Sequence, residues 1–192
     1  ASAELKNRNE VSVQAGVLNF EGDAHIDAGF AYGARLGHYF TERLSAEVLV
    51  FKTDTEMENG GNLSALYPAL AASYHFRFGK FMPFVQAGAG VLRLNPEGAG
   101  ATNNFAMHWG GGLKYFYKPD LLLRADVSHI IDTEIGKGTH DLLAVAGVSW
   151  LFGSSREEAK KVVEQVKQAV AQDADKDGVT DDKDNCPGTP AG

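Results

Sequence analysis

The residues best suited to chemistry lie at the end of the chain, where aspartates recur at a cation-binding spacing. Counted from Asp173 as position 1, carboxylates fall at positions 1, 3, 5, 9 and 12 (Asp173, Asp175, Asp177, Asp181, Asp184), with Gly178 at position 6. This is the ligand pattern of a calcium loop, with aspartate in place of glutamate at the last position. Calcium takes roughly six to eight hard oxygen ligands, glycine allows the sharp turn, and the carbonyl of Val179 falls at position 7. Asp182 and Lys183 are expected to face water. From 173 onward six Asp stand against two Lys, a net of −4 that repels itself unless a cation is held. A solvated acidic linker is the plainer alternative. Calcium is the one cofactor expected.

A second set of charges lies inside apolar runs: Arg35, Glu47, Arg77, Lys114, Arg124 and Asp126. Charges enclosed by a sheet are costly unless paired, so these six are expected to form one network. Plain structural filling competes with a conducting path here. No triad or HExxH-like spacing emerges, and no enzyme is expected. His25 and His140 fall in expected loops and His38, His75, His108 and His129 near strand ends, where polar side chains at the water interface account for them.

The elements that must position these charges are strands. Residues 10–152 divide into eight segments of period-2 apolar patterning, at 10–20, 27–40, 43–53, 63–78, 82–94, 103–117, 121–131 and 141–152. The links around Thr41–Glu42, Gly79–Phe81 and Lys118–Asp120 are tight. Long polar loops alternate with them at Glu21–Ile26, Asp54–Asn62, Asn95–Thr102 and Asp132–His140. Segregation of short turns from long loops suits an up-and-down membrane barrel.

The patterning assigns the faces. Leu44, Ala46, Val48 and Val50 oppose Ser45, Glu47, Leu49 and Phe51, and Leu121, Leu123, Ala125 and Val127 oppose Leu122, Arg124, Asp126 and Ser128. In lipid every backbone N–H and C=O must be paired, so the sheet has to close with its apolar face outward. A soluble lipocalin-type barrel would invert that arrangement. Tyr39, Phe40, Phe76, Phe78, Tyr115, Tyr117, Trp150 and Phe152 are expected in interfacial girdles.

Composition is consistent with this reading. The chain has 192 residues, 44% hydrophobic and 22% charged, with net charge −7, an acidic balance that argues against nucleic acid. No run approaches the roughly 20 apolar residues of a membrane helix. Ala1-Ser2-Ala3 reads as the small-residue end of a cleaved signal. Past the barrel, Ser155 and Glu158 form a capping box, and Val162, Val163, Val166, Ala169 and Val170 make a stripe, so a helix is expected at 155–171. The fold class is therefore all-β, an eight-stranded antiparallel up-and-down transmembrane barrel followed by a linker helix and a calcium loop. Its expected parts are an N-terminal extension (1–9), the barrel (10–152), the linker (153–172) and the calcium segment (173–192).

Gly33–Val50 (GARLGHYFTERLSAEVLV) resembles the second hairpin of OmpA-like outer-membrane proteins, and Leu113–Val127 (LKYFYKPDLLLRADV) their sixth and seventh strands. Gly147, Trp150 and Phe152 resemble the family's terminal insertion signal, with Val145 where a polar residue is usual. The layout is nearest the OprF-like branch, and Asn185-Cys186-Pro187-Gly188 makes the tail similar to a thrombospondin type 3 repeat. The resemblance implies a Glu47–Arg124 interior ion pair, with Lys114 standing where a compared member carries an acid. It also implies outer-membrane lipid, lipopolysaccharide and the barrel-assembly machinery as partners, a periplasmic C-terminal segment, and a later partner for Cys186. Peptidoglycan is expected only through a cell-wall domain absent from these residues, as in a truncated or short form. Anchoring is the expected function. A low-conductance porin with a charge-gated lumen is the alternative, and adhesion through the loops a third possibility.

Overall fold

The computed structural model describes residues 4–21, 28–56, 61–98, 100–132, 140–153 and 163–165. Eight strands run in chain order: β1 (Asn9–Glu21), β2 (Gly29–Tyr39), β3 (Leu44–Glu56), β4 (Asn62–His75), β5 (Phe81–Pro96), β6 (Thr102–Lys118), β7 (Leu121–Asp132) and β8 (His140–Phe152). Each pairs antiparallel with its neighbours, and β1 meets β8 with Asn9 opposite Phe152, so the sheet is a closed barrel. Closure leaves no unpaired edge, as a sheet in lipid requires.

The two ends of the barrel differ. The connections after β2, β4 and β6 form the turn end, and those after β1, β3, β5 and β7 the loop end. At the loop end the ladder continues into segments expected to be loop. Asp54, Thr55 and Glu56 pair with Ser64, Leu63 and Asn62, and β5 runs to Pro96. A ladder once registered satisfies backbone groups wherever it runs, so polar residues extend it past the apolar band. At the turn end β4 stops at His75, not at the expected 78. Phe76 N–H still donates to the Pro83 carbonyl at 2.8 Å, but Pro83 has no N–H to return the bond.

Alternation places the faces as expected. Val48, Val50, Leu123, Val127 and Trp150 are exposed, while Ser45, Glu47, Arg124, Asp126 and Ser128 are buried. Such outward apolar residues would be anomalous in water, whereas facing lipid they need no other cover. Tyr39 corrects the girdle assignment: it sits inside, 1% exposed. His75 and His108 are likewise buried in the interior, not at the water interface.

The residues before β1 close back on the turn end. Leu5 is fully buried with Tyr39, Met82, Phe116, Leu122 and Leu151. Its N–H and that of Lys6 donate to Glu42 Oε1 at 2.9 Å, and Asn7 N–H donates to the Tyr39 carbonyl at 2.8 Å. Asn7 takes the left-handed conformation (φ 62°), which asparagine tolerates better than most residues. Arg8 then pairs with Asp120 at 2.6 Å.

The chain divides into two compact units, Ala1–Gly153 and Ser154–Gly192. In the second, residues 163–165 are helical. The rest of the helix expected at 155–171, and the calcium segment with Asp173, Asp175, Asp177, Val179, Asp181 and Asp184, lie outside the described residues.

Candidate functional site

An eight-stranded barrel is just wide enough for side chains to fill it. Here they fill it in three layers. At the turn end is the apolar cluster around Leu5, and towards the loop end a larger one that includes Leu18, Leu49, Phe51, Tyr67, Leu92, Ile130 and Leu143. Between them lies a polar layer holding three carboxylates (Glu10, Glu47, Asp126) and three cations (Arg35, Lys114, Arg124), all buried.

Arg124 is the hub. Its Nη1 donates to both oxygens of Glu47, at 2.9 and 3.1 Å, and its Nε to Asp126 at 2.9 Å. β7 and β3 stand four strands apart in a ring of eight, so the Arg124–Glu47 pair spans the lumen. Arg35 from β2 reaches Asp126 with Nη2 at 2.7 Å and Gln14 with Nε at 2.6 Å, its guanidinium 5.0 Å from the centre of the Phe51 ring. Lys114 from β6 donates to Glu10 at 2.7 Å and to the Tyr39 hydroxyl at 2.9 Å, and lies 3.5 Å from Glu47. Gln86 accepts from Arg124 at 3.2 Å and donates to Ser128 at 2.7 Å. Each charge thus meets an opposite one, which makes burial tolerable in a region of low dielectric. Removing one partner of such a pair typically costs about 3–5 kcal/mol, because the other stays buried.

Five of the six expected lumen charges are therefore in contact: Arg35, Glu47, Lys114, Arg124 and Asp126. Arg77 is not among them. β4 ends before it, so Arg77 leaves the interior register and pairs with Glu42 at the turn end, its guanidinium 5.7 Å from the Phe116 ring centre. Glu10, Gln14, Gln86 and Tyr39 join the network without having been expected there. The signal for Glu10 and Gln14 is parity: Val11, Val13 and Val17 are outward and exposed, which turns positions 10, 12 and 14 inward.

Gly147 fits a packing requirement at the seam. A Cβ there would fall 2.0 Å from the Val13 carbonyl oxygen, so the β1–β8 closure admits no side chain at this position. Trp150 and Phe152 face outward. Among the described residues no group of three or more His, Cys, Asp or Glu could hold a metal.

The outer membrane protein beta-barrel domain family matches residues 1–152. The outer membrane porin F of Pseudomonas aeruginosa is 26% identical over 208 residues, covering 99% of this chain and 57% of the relative. The chain thus spans little more than half the length of that relative. Among solved structures, Neisserial surface protein A superposes with a TM-score of 0.66 at 17% identity, over 75% of this chain and 97% of that one. The N-terminal barrel of Pseudomonas aeruginosa OprF gives 0.54 at 22% identity, over 77% and 98%. These likenesses concern the fold.

Proposed function

This chain belongs to the outer membrane protein beta-barrel domain family, and from that we propose that it is a structural anchor in the bacterial outer membrane whose lumen is sealed. The observation that carries this reading is the pairing of Glu47 with Arg124 across the lumen, between two apolar layers. A barrel crossed by paired charges and packed above and below them offers solutes little room. Single-channel recording of the wild type and of Glu47→Ala tests it. An anchor shows negligible conductance in both proteins, and sustained openings in the wild type contradict it.

A second reading, a narrow porin, has support of its own. The relative's name says porin, and two buried polar atoms near the turn end, Ser73 Oγ and His75 Nδ1, find no hydrogen-bond partner among the described residues. In this reading the lumen charges re-pair to open a path, and Glu47→Ala changes the openings.

The segment after the barrel is a periplasmic stalk in this proposal, built from a linker helix and a thrombospondin type 3-like loop. Asp173, Asp175, Asp177, Asp181 and Asp184 and the Val179 carbonyl hold calcium there, and the ligand spacing supports it. Attachment to peptidoglycan would need a domain beyond these residues. Calorimetric titration of the whole chain should show one calcium site that Asp173→Asn with Asp177→Asn abolishes. No binding at millimolar calcium contradicts it.

A further inference from the structure

His129 and His140 stand outside the lumen network. His129 lies in β7 three residues before its end, and His140 opens β8. Their neighbours Ser128, Ile130 and Asp141 are buried, so alternation turns both histidines to the outer face. The register sets His129 opposite Leu142 and His140 opposite Ile131, which makes the two histidines diagonal cross-strand neighbours. Their rings lie within 10° of parallel, with centroids 5.0 Å apart. His140 Nδ1 is 3.1 Å from His129 Nε2. On the other side Trp109 pairs with His129 across β6 and β7, its ring edge-on at 5.5 Å.

Two neutral imidazoles that meet nitrogen to nitrogen share one proton, one ring donating and the other accepting. A cation between them would use both lone pairs. Metal–imidazole bonds of roughly 2.0–2.1 Å set two adjacent ligand nitrogens about 2.9–3.4 Å apart, a range that includes the observed 3.1 Å. His140 is exposed and His129 half-buried, so both rings have room to turn their nitrogens towards one point. We propose that this pair binds a divalent transition-metal ion of the copper, nickel or zinc class at the loop-end rim of the barrel. Imidazole nitrogen suits these ions, and calcium and magnesium prefer oxygen. Among the described residues no third such side chain joins the pair, which leaves positions in the shell open to water.

Trp109 supplies the readout. The chain has two tryptophans, so in a Trp150→Phe background Trp109 is the single indole. That protein, whole and in detergent micelles, is titrated with Cu²⁺ in the presence of millimolar Ca²⁺, which occupies carboxylate sites. Saturable quenching of Trp109 at one ion per chain is expected. Removing even an outer-shell partner costs roughly 10–100-fold in metal affinity, so His129→Ala and His140→Ala should each raise half-saturation at least about tenfold. His38→Ala, whose ring bonds Asn9 elsewhere on the barrel, should leave it unchanged. Both tested histidines lie outside the packed lumen, and an unaltered circular dichroism spectrum checks the fold of each variant. Quenching that does not saturate, or a half-saturation unmoved in the double His129→Ala, His140→Ala variant, overturns the proposal.

Discussion

Lys114 is fully buried inside a barrel, and its nearest carboxylate, Glu10 at 2.7 Å, is 104 residues away in the chain. Neither charge is tolerable there alone. Lys114→Met should therefore lower stability by about 3–5 kcal/mol, because Glu10 stays buried with a lost partner. Adding Glu10→Gln should recover part of that loss, since neighbours in one network are not additive. Urea unfolding of the two single variants and the double variant in bilayers measures the coupling, and strictly additive losses would contradict it. The legibility of the network follows the same physics. Glu47, Arg124 and Asp126 stand out in the sequence because a charge in the middle of an apolar alternation has few explanations. Glu10 opens the segment expected at 10–20, where a charge ordinarily marks a boundary, and Gln14 and Gln86 carry no charge to notice. Tyr39 reads equally well as a girdle aromatic, and only the register shows its hydroxyl donating to Glu10 at 2.5 Å.

The strands were legible because a barrel in lipid displays its alternation openly, with Val11, Val13 and Val17 outward and Ser12 and Gln14 inward. Their ends were not, since ends depend on what lies opposite. β4 stops where Pro83 cannot return a bond, and that one step takes Arg77 out of the lumen. β3 and β5 continue past the apolar band because paired backbone needs no apolar side chains. The seam between β1 and β8 depends on Gly147. Gly147→Val places atoms against the Val13 carbonyl oxygen, 2.0 Å from the Cβ position, and overpacking of this kind costs about 1–3 kcal/mol or more. Slower, less complete refolding into vesicles is expected, followed by circular dichroism, and wild-type refolding would contradict the seam. Leu5 makes a parallel case at the turn end. Leu5→Asp would force a carboxylate against Met82, Phe116 and Leu122, and should release residues 4–8 to added protease while β1 to β8 remain paired. Protection equal to wild type would show that this segment does not depend on the apolar cluster.

The barrel is a closed wall around two apolar clusters with an ionic layer between them, and its proposed role follows from that filling more than from any one residue. A lumen filled in this way keeps water-borne solutes from its middle. Ser128 reports on that point: it is buried in the polar layer and accepts a hydrogen bond from Gln86 at 2.7 Å. With Cys186, the chain's one cysteine, replaced by serine, Ser128→Cys introduces a single thiol of nearly the same size there. Its rate of reaction with a small charged thiol reagent can be measured in bilayer vesicles. The sealed lumen predicts that this thiol stays unmodified while a control cysteine at Ser64, at the loop end, is labelled within minutes. Equal labelling of the two would contradict a sealed lumen and favour a conducting one.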